Sequence, residues 1–340
     1  MNAIPTRPAT LAVIVVNYNA GGLLADCLAA LSRQTVRPTR VIVVDNASRD
    51  GSSDACGAAF DWVEFHNLTE NVGFAPANNI GVAMVPECEW VALLNPDAFA
   101  EATWVEAFLR RAAQFPDVDS FASCMLWAAD SAVVDGAGDA YRVDGLAWPR
   151  SQGGAARQLA PEPAEVFSPS GGAGFYRRSV YVDAGGLCER FFCYYEDVDL
   201  GFRLRLLGHR CLFLPDAIVH HVGSALTGKG SDFSVYHVHR NFVWTFVRNM
   251  PGRLFWMYLP AHVAANIASI AVFVRKGQGG VILRAKRDAI RGLRLTWQER
   301  RRIQASRRVS TDTIRSAMQR GNLLVWAYRR VLELVGLGRR

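Results

Sequence analysis

The sequence lacks the cysteine patterns of zinc-binding or disulfide-bonded small domains. Its seven cysteines are odd in number and scattered, and no C-x-x-C pair occurs in the 340 residues. A zinc finger and a disulfide framework are therefore excluded, and a reducing cytosol is the compartment we expect. The N-terminal segment MNAIPTRPAT carries one arginine and no small-residue cleavage site, so it does not predict a signal peptide. Internal repeats and low-complexity blocks are also missing.

Positive charge is scarce in the body of the chain and dense in its tail. Residues 275–340 hold 18 Lys/Arg and 4 Asp/Glu, whereas residues 1–274 hold 20 and 27. A basic segment of this kind suits an anionic membrane surface or a nucleic acid. Because the uncharged stretch 254–274 precedes it and the body is acidic, we expect a membrane surface and no nucleic-acid partner.

Short apolar runs alternate with helix-like segments over the first 125 residues. Such alternation predicts an α/β fold with a mostly parallel sheet and helices on both faces. The predicted strands are Val13–Val16, Val41–Val44 and Val91–Leu94, and the predicted helices are Gly22–Gln34, Ser52–Phe60, Ala75–Val85, Thr103–Gln114 and Glu196–Leu207. Residues 126–170 predict loops and short strands, and Leu212–Leu214 a further short strand. The tail has a helical pattern.

Polar residues follow each of the three predicted strands. They are Asn17 and Asn19 after the first strand, Asp45, Asn46 and Ser48 after the second, and Asn95 and Asp97 after the third. Each residue alone is typical of a turn or a helix cap. Ligands of open parallel sheets bind outside the carboxyl ends of the strands, so the recurrence at three strand ends favours a binding site.

Two acidic clusters and a histidine pair can carry chemistry. Asp97 is placed to hold a divalent cation that bridges a diphosphate, with a simple Asn-Pro turn as the alternative. Asp197, in Glu196–Asp199, can act as a general base, although acidic residues also suit a helix start. His220 and His221 are candidate metal ligands, with structural hydrogen bonding as the alternative.

The motifs together resemble the family 2 glycosyltransferases, and in particular their bacterial rhamnosyltransferase-like branch. The matching pieces are VIVVNYN (13–19), VVDNASRDGS (43–52), NVGFAPANNIG (71–81), LLNPDA (93–98), GAGFYRR (172–178), FFCYYEDVDLGFRLRLLG (191–208), LPDAIVHHVGSALTG (214–228) and HRN (239–241). They cover about residues 11–245 in the order and spacing of the family.

The resemblance implies an inverting enzyme with a Rossmann-like GT-A fold. By position, Asn17, Asn19, Asp45, Asn46, Ser48 and Asn95 are implied to bind the donor nucleotide, with Asp45 accepting from N3–H of a pyrimidine. Asn95 and Asp97 occupy the D-x-D position, in which Asn95 replaces the first aspartate. Asp97 and His221 are then implied to bind Mg²⁺ or Mn²⁺, and Asp197 matches the catalytic base. The resemblance leaves open whether His220 takes the place of His221.

The resulting expectation is a glycosyltransferase domain at 1–245 and an apolar, basic helical region at 246–340. The donor implied by the branch is dTDP-L-rhamnose, within a class of dTDP- or UDP-sugars, and the acceptor is a lipid-linked or cell-surface glycan. We expect a cytoplasmic enzyme, peripheral at the inner face of the plasma membrane. The alternatives are an inactive nucleotide-sugar-binding protein of the same fold and, through the basic tail, a nucleic-acid-binding protein.

Overall fold

A computed structural model describes residues 9–223, 228 and 230–319. Its strands are β1 (Leu11–Asn17), β2 (Arg40–Asp45), β3 (Glu64–Asn67), β4 (Trp90–Leu94), β5 (Ala98–Ala100), β6 (Ser120–Trp127), β7 (Asp130–Ala137), β8 (Asp139–Tyr141), β9 (Ala147–Pro149), β10 (Ala164–Glu165), β11 (Ala173–Arg177) and β12 (Cys211–His221). Its α-helices are α1 (Gly22–Ser32), α2 (Ser52–Ala59), α3 (Phe74–Ala83), α4 (Trp104–Gln114), α5 (Arg178–Asp183), α6 (Glu196–Leu207), α7 (Asp232–Asn249), α8 (Gly252–Arg275), α9 (Gly279–Arg291), α10 (Leu293–Ala305) and α11 (Thr311–Ala317).

Ten of the described strands form one large sheet with a mostly parallel centre, and β8 pairs with β9 in a separate two-stranded sheet. The order of the large sheet is β10-β12-β6-β11-β4-β1-β2-β3, with β5 paired to β12 and β7 paired to β6. The predicted α/β fold is confirmed, and the three predicted strands are β1, β2 and β4. Asn17 at the end of β1 is in register with Asp45 at the end of β2, which brings the first two groups of polar residues together.

Helices cover both faces of this sheet because alternate residues of its central strands point to opposite sides. Leu11, Val13 and Val15 of β1 pack in one core with α1 and α4. Ala12 and Ile14 of β1 pack in a second core with α3 and α6. Both sets are almost fully buried, which explains why these strands are continuous apolar runs in the sequence.

Two features of the sheet differ from the sequence prediction. The strand expected at Leu212–Leu214 extends to His221, because the irregular pairing between Leu214 and Ile218 accommodates Pro215. Gly171 and Gly172 form a turn, and the residues from Ala173 form β11, an antiparallel strand between β4 and β6 that the sequence did not predict. Its backbone lies close to neighbouring atoms, since a Cβ at Gly174 would meet Ser170 O at 2.8 Å.

The chain divides into two compact units. The sheet unit contains residues up to Asp139, Pro149–Leu204 and His209–Leu226. The helical unit contains Ala140–Trp148, Arg205–Gly208 and the residues from Thr227 onward. The predicted boundary between residues 245 and 246 stays a prediction, and residues 224–227 and 320–340 of the predicted segments lie outside the described part of the chain.

Helix α8 of the helical unit turns its polar residues inward. His262 is buried and its Nδ1 lies 2.7 Å from Asp144 O. Asn266 accepts a hydrogen bond from Lys286 Nζ at 2.6 Å. The outward face is apolar, with exposed Trp256, Met257, Val263, Ile267 and Val274. The helix also continues through Pro260. The polar residues His262 and Asn266 interrupt the apolar sequence, but they do not interrupt the apolar outward face.

Candidate active site

The end of β4 and the end of β12 bring Asp97 and His221 together. β5 follows Asp97 and pairs antiparallel with β12, so that Ala98 is the register partner of His221. The backbone adds a hydrogen bond from Val222 N to Asp97 O at 2.9 Å. As a result, His221 Nε2 lies 3.3 Å from Asp97 Oδ1. The sheet therefore places the two predicted metal ligands side by side.

A third residue, Asp135 on β7, orients the imidazole of His221. Its Oδ2 lies 2.7 Å from His221 Nδ1, and its Oδ1 accepts from Gln152 Nε2 at 3.3 Å. Burial disfavours a charged imidazolium, but the carboxylates of Asp135 and Asp97 outweigh burial and raise the pKa of His221 to about 9. An aspartate on one ring nitrogen fixes which side of the ring faces the other partner.

The chemistry of these atoms fits a divalent cation. Asp97 Oδ1 and His221 Nε2 are both buried and face each other at 3.3 Å, and neither has another partner among the described residues. A carboxylate oxygen and an imidazole nitrogen are ligand atoms for divalent cations, and a bound cation would replace the proton of the imidazolium. No group of three or more His, Cys, Asp or Glu side chains gathers as a metal site in the described residues. Mg²⁺ and Mn²⁺ accept such a sparse set when substrate phosphates complete the coordination.

A network of amides and hydroxyls joins the ends of β1 and β2. Asn17 Nδ2 lies 2.7 Å from Asp45 Oδ1, 3.1 Å from Ser48 Oγ and 2.9 Å from Ser52 Oγ. Asp45 Oδ2 accepts from Ser48 N at 3.0 Å. Asp45 is 5% exposed. Because each carboxylate oxygen has two lone pairs, Asp45 keeps acceptor capacity for a ligand while the network fixes its rotamer.

Three further residues predicted to bind the donor, Asn19, Asn46 and Asn95, follow the ends of β1, β2 and β4. Asn19 Oδ1 accepts from Arg49 N at 2.8 Å, and Asn46 bridges to the next loop through Asn71 Oδ1 at 2.8 Å. The backbone N–H of Asn95 donates a hydrogen bond to Gly172 O at 2.9 Å. The side-chain oxygen of Asn95 is buried without a partner among the described residues. Asn19 and Asn46 thus hold the loops, and Asn95 has a free acceptor.

Asp197 lies in the first turn of α6, where it accepts two backbone hydrogen bonds. Gly171 N donates to Oδ2 and Val198 N donates to Oδ1, both at 2.7 Å. Burial raises the pKa of Asp197, and these backbone donors act against that rise. Burial and the charge of Asp197 raise the pKa of both Glu196 and Asp139 well above the ordinary range. The two backbone donors favour the ionised form of Asp197.

The other acid of the cluster has a structural partner. Asp199 is fully buried and its Oδ2 accepts from Arg203 Nη2 at 2.8 Å. Arg203 also donates to Gly186 O at 2.7 Å. Asp199 therefore fixes α6 to a neighbouring loop. His220 is likewise directed elsewhere, since its Nε2 lies 2.8 Å from Glu101 Oε1, and the geometry favours His221 at the candidate cation site.

The segment before Asp197 has an unusual backbone. Phe192, Tyr194 and Tyr195 adopt φ values of 67°, 69° and 69°, a region that bulky residues rarely occupy. Phe192 packs against Gly73, where a Cβ would come within 2.8 Å of Phe192 O. Phe192 O also accepts from Ala75 N at 3.1 Å. Strained residues of this kind concentrate at active sites, because the surrounding structure must hold them in place.

The sequence prediction missed Asp135 and Asp139. Both are buried, at 8% and 5% exposure. Each interrupts an apolar run, and a carboxylate in a buried strand requires a partner. That signal is present in the sequence, but it does not identify the partner, because His221 lies 86 residues away from Asp135.

Comparison with known protein families identifies the family of the chain. The model of glycosyl transferase family 2 matches residues 12–183, about half of the sequence. The chain belongs to glycosyl transferase family 2. It is 32% identical over 250 residues to the N-acetylglucosaminyl-diphospho-decaprenol L-rhamnosyltransferase of Mycobacterium tuberculosis, covering 67% of this chain and 81% of that protein. The glycosyltransferase activity and the rhamnosyltransferase-like branch predicted from the motifs are confirmed.

Other relatives share the fold or a part of the chain. The pre-mycofactocin glycosyltransferase of M. tuberculosis is 30% identical over 219 residues, which are 64% of this chain and 43% of that protein. A mannosyltransferase of Pyrobaculum calidifontis, solved with GDP-Man and Mn²⁺, has a TM-score of 0.52 at 18% identity over 89% of this chain and 87% of its own. GalNAc-T7, solved with UDP, GalNAc and Mn²⁺, has a TM-score of 0.59 at 14% identity over 72% of this chain, which spans 48% of that one. These likenesses confirm the GT-A fold.

Proposed function

We propose that this glycosyltransferase transfers L-rhamnose from dTDP-L-rhamnose to a lipid-linked glycan with inversion at the anomeric carbon. The observation that carries the proposal is the 32% identity to an L-rhamnosyltransferase named for a diphospho-decaprenol acceptor, over 81% of its length. Similarity over most of a relative supports a shared substrate class. The two candidate centres of the sheet unit, Asp197 and the Asp97–His221 pair, supply the chemistry that such a transfer needs.

Asp197 is the proposed general base. Its carboxylate removes the proton from the attacking acceptor hydroxyl, so that the oxygen displaces the nucleoside diphosphate in a single in-line step. Its raised pKa favours proton transfer, since a base works best when its pKa approaches the working pH. The hydrogen bonds from Gly171 N and Val198 N keep the carboxylate in one orientation. One displacement inverts the configuration of the anomeric carbon.

Asp97 and His221 are the proposed ligands of Mg²⁺ or Mn²⁺. Neighbours of the same fold are solved with Mn²⁺, and the carboxylate oxygen and imidazole nitrogen of this pair are ligand atoms that such a cation accepts. When bound, the cation supplies Lewis-acid stabilisation for the diphosphate that leaves. Asp135 holds the imidazole of His221 so that Nε2 faces Asp97.

Asp45 is the proposed acceptor for N3–H of the donor base. Uracil and thymine both carry that hydrogen, so Asp45 selects pyrimidines of this kind without separating UDP from dTDP donors. Asn17 and Ser48 keep the carboxylate in place, and Asn95 offers its free side-chain oxygen to the donor. Asn19 and Asn46 contribute by shaping the loops around this pocket.

A donor panel tests the proposed substrates. The purified enzyme is incubated with decaprenyl-diphospho-N-acetylglucosamine and, in turn, dTDP-L-rhamnose, UDP-glucose, UDP-N-acetylglucosamine and GDP-mannose. Transfer should be fastest with dTDP-L-rhamnose, should fall on addition of EDTA, and should give the inverted product by NMR. Faster transfer from another donor would assign a different sugar, and transfer to none would contradict the proposed reaction.

We also propose that the C-terminal region, residues 246–340, attaches the enzyme to the inner face of the plasma membrane from the cytoplasm. Among the described residues, α8 is the one helix that is both long enough and apolar enough to cross a membrane. In its most apolar stretch, 11% of the residues are buried. Its inward polar and outward apolar faces suit lipid better than water. Clustered arginines of the tail add attraction to anionic lipid.

Vesicle sedimentation tests this attachment. The full-length protein should sediment with anionic vesicles, and high salt should weaken the association without abolishing it. Substitutions Trp256→Asp and Ile267→Asp on the outward face of α8 should release it. Val182→Asp, at an exposed apolar residue of the sheet unit, is the control and should have no effect. Release by the control alone, or no sedimentation of the wild type, would leave α8 as a structural helix.

A further inference from the structure

The helical unit contains a concave apolar pocket of about 610 Å³. Pockets of this size are typical of small-molecule sites, which run from about 300 to 1,000 Å³. Helices α7, α8 and α10 contribute its walls. The residues that line it include Phe255, Leu259, Leu293, Trp297, Arg294 and Arg301. None of them belongs to the candidate active site.

A buried arginine holds the aromatic wall of this pocket in place. Arg300 Nη1 donates to Val247 O at 2.8 Å and to Met250 O at 2.6 Å. Its guanidinium lies 4.5 Å from the ring centre of Phe255 and 5.2 Å from that of Trp297. The two rings pack edge to face with centres 5.6 Å apart. The wall is therefore preformed, which reduces the entropy lost when an apolar ligand binds.

The two pocket arginines are placed for an anionic group. Arg294 and Arg301 are both exposed and lie seven residues apart on α10, a spacing that puts them on one face of a helix. Trp297, between them, lines the same pocket. Guanidinium groups bind phosphate oxygens through paired hydrogen bonds. The pocket therefore combines an apolar interior with a cationic pair.

The pocket borders the outward face of α8. Phe255 and Leu259 line the pocket, while their chain neighbours Trp256 and Pro260 are exposed on the outward face. A lipid chain that leaves a bilayer at this face meets the pocket directly. The volume of about 610 Å³ suits a single lipid chain.

We propose that this pocket binds the chain of a phosphorylated prenyl lipid, with its phosphate held by Arg294 and Arg301. The proposal rests on the proposed function in one respect, since a lipid-linked acceptor supplies such a lipid. The apolar side chains of Phe255, Leu259, Leu293 and Trp297 contact the chain. The pocket is then the site that recognises the anchor of the acceptor, separate from the groups that act on its sugar.

Binding of three soluble probes to the full-length protein tests this site. Farnesyl phosphate carries chain and phosphate, farnesol only the chain, and inorganic phosphate only the anion. Isothermal titration calorimetry should show saturable one-to-one binding of farnesyl phosphate, weaker binding of farnesol and no binding of phosphate alone. Phosphate binding as tightly as farnesyl phosphate would reduce the site to an anion site and overturn the proposal, as would no saturation by farnesyl phosphate.

Substitutions of residues that line the pocket test whether farnesyl phosphate binds there. Arg294→Glu with Arg301→Glu should weaken farnesyl phosphate binding by about 10-fold or more, the loss expected for charge-assisted hydrogen bonds. Leu259→Gln should weaken farnesyl phosphate and farnesol alike. Arg302→Glu is the matched control, because Arg302 is exposed on the same helix but is not among the residues that line the pocket. An equal loss in Arg302→Glu, or no loss in the other variants, would overturn the assignment.

Transfer assays separate this proposal from the proposed function. With a water-soluble acceptor that lacks a lipid chain, the pocket variants should transfer sugar as fast as the wild type. With the prenyl-linked acceptor, their KM should rise while kcat stays near the wild-type value. If the enzyme transfers sugar to neither acceptor, the proposed function is wrong, but the binding of farnesyl phosphate still tests whether the pocket binds a prenyl lipid. If the pocket variants lose transfer to both acceptors equally, the pocket is not an anchor site.

Discussion

Replacing Asp135 with asparagine should weaken cation binding without removing either proposed ligand. The carboxylate serves two donors, since Oδ2 lies 2.7 Å from His221 Nδ1 and Oδ1 lies 3.3 Å from Gln152 Nε2. An asparagine has one oxygen, so in either orientation its amide group turns an N–H toward one of these donors. In one orientation the imidazole loses the acceptor at Nδ1 that holds Nε2 toward Asp97. In the other orientation that hydrogen bond persists, but without the negative charge of the carboxylate.

Loss of such an outer partner typically lowers metal affinity by about 10- to 100-fold, which corresponds to about 1.4–2.8 kcal/mol. Mn²⁺ titration in the presence of dTDP, followed by electron paramagnetic resonance, measures this change directly. Asp130→Asn is the matched control, because Asp130 is an exposed residue of the same strand and should leave Mn²⁺ binding unchanged. Wild-type affinity in Asp135→Asn, or an equal loss in the control, would refute the role of Asp135.

Three further predictions follow from the site. Asp197→Asn should lower kcat by about 10²-fold or more and remove the rise of kcat with pH, which tracks the raised pKa of this base. Asp199→Asn should instead destabilise the fold by about 3–5 kcal/mol in urea unfolding, because it leaves the positive charge of Arg203 buried without its counter-ion; the reverse pattern would assign the base to Asp199. Gly73→Ala should lower the free energy of unfolding by about 2–4 kcal/mol, because Gly73 has a φ of 96° and a Cβ there would clash with Phe192. Gly153→Ala, at a positive φ in open space, should lower it by about 1–2 kcal/mol. Equal losses of stability would contradict the contact with Phe192. Asp45 should disfavour cytidine, so calorimetry that shows CDP binding as tightly as UDP would argue against it.

The sequence predicted the elements that depend on local pattern. β1, β2 and β4 are apolar runs because both faces of the central sheet are covered, and α6 was predicted with the same bounds. β11 was not recognised as a strand, because its glycine-rich start indicates a turn and its neighbours β4 and β6 are distant in sequence. β12 was predicted too short, because Pro215 normally ends a central strand.

The candidate site shows the same division. Asp97, Asp197 and His221 could be proposed because each follows or opens a recognisable element. The partners that define their chemistry could not be predicted, since they come from other segments. Asp135 reaches His221 only through the pairing of β6 with both β7 and β12. Asp199 differs from Asp197 by its contact with Arg203, which the sequence of three acids does not reveal.

The pairing of β12 with β5 and β6 sets the order in which the candidate site can form during synthesis. Asp97 and Asp135 emerge from the ribosome first, and their partner His221 follows 86 residues after Asp135. Contacts between such distant segments form late in folding, because the intervening chain must first be ordered. The segment that matches the family model ends at residue 183, before Asp197 and His221. A nascent chain of that length holds β1, β2 and β4 with their proposed nucleotide-binding residues, but neither Asp197, the proposed base, nor His221, the second proposed cation ligand. On this proposal, activity begins only after β12 has joined the sheet.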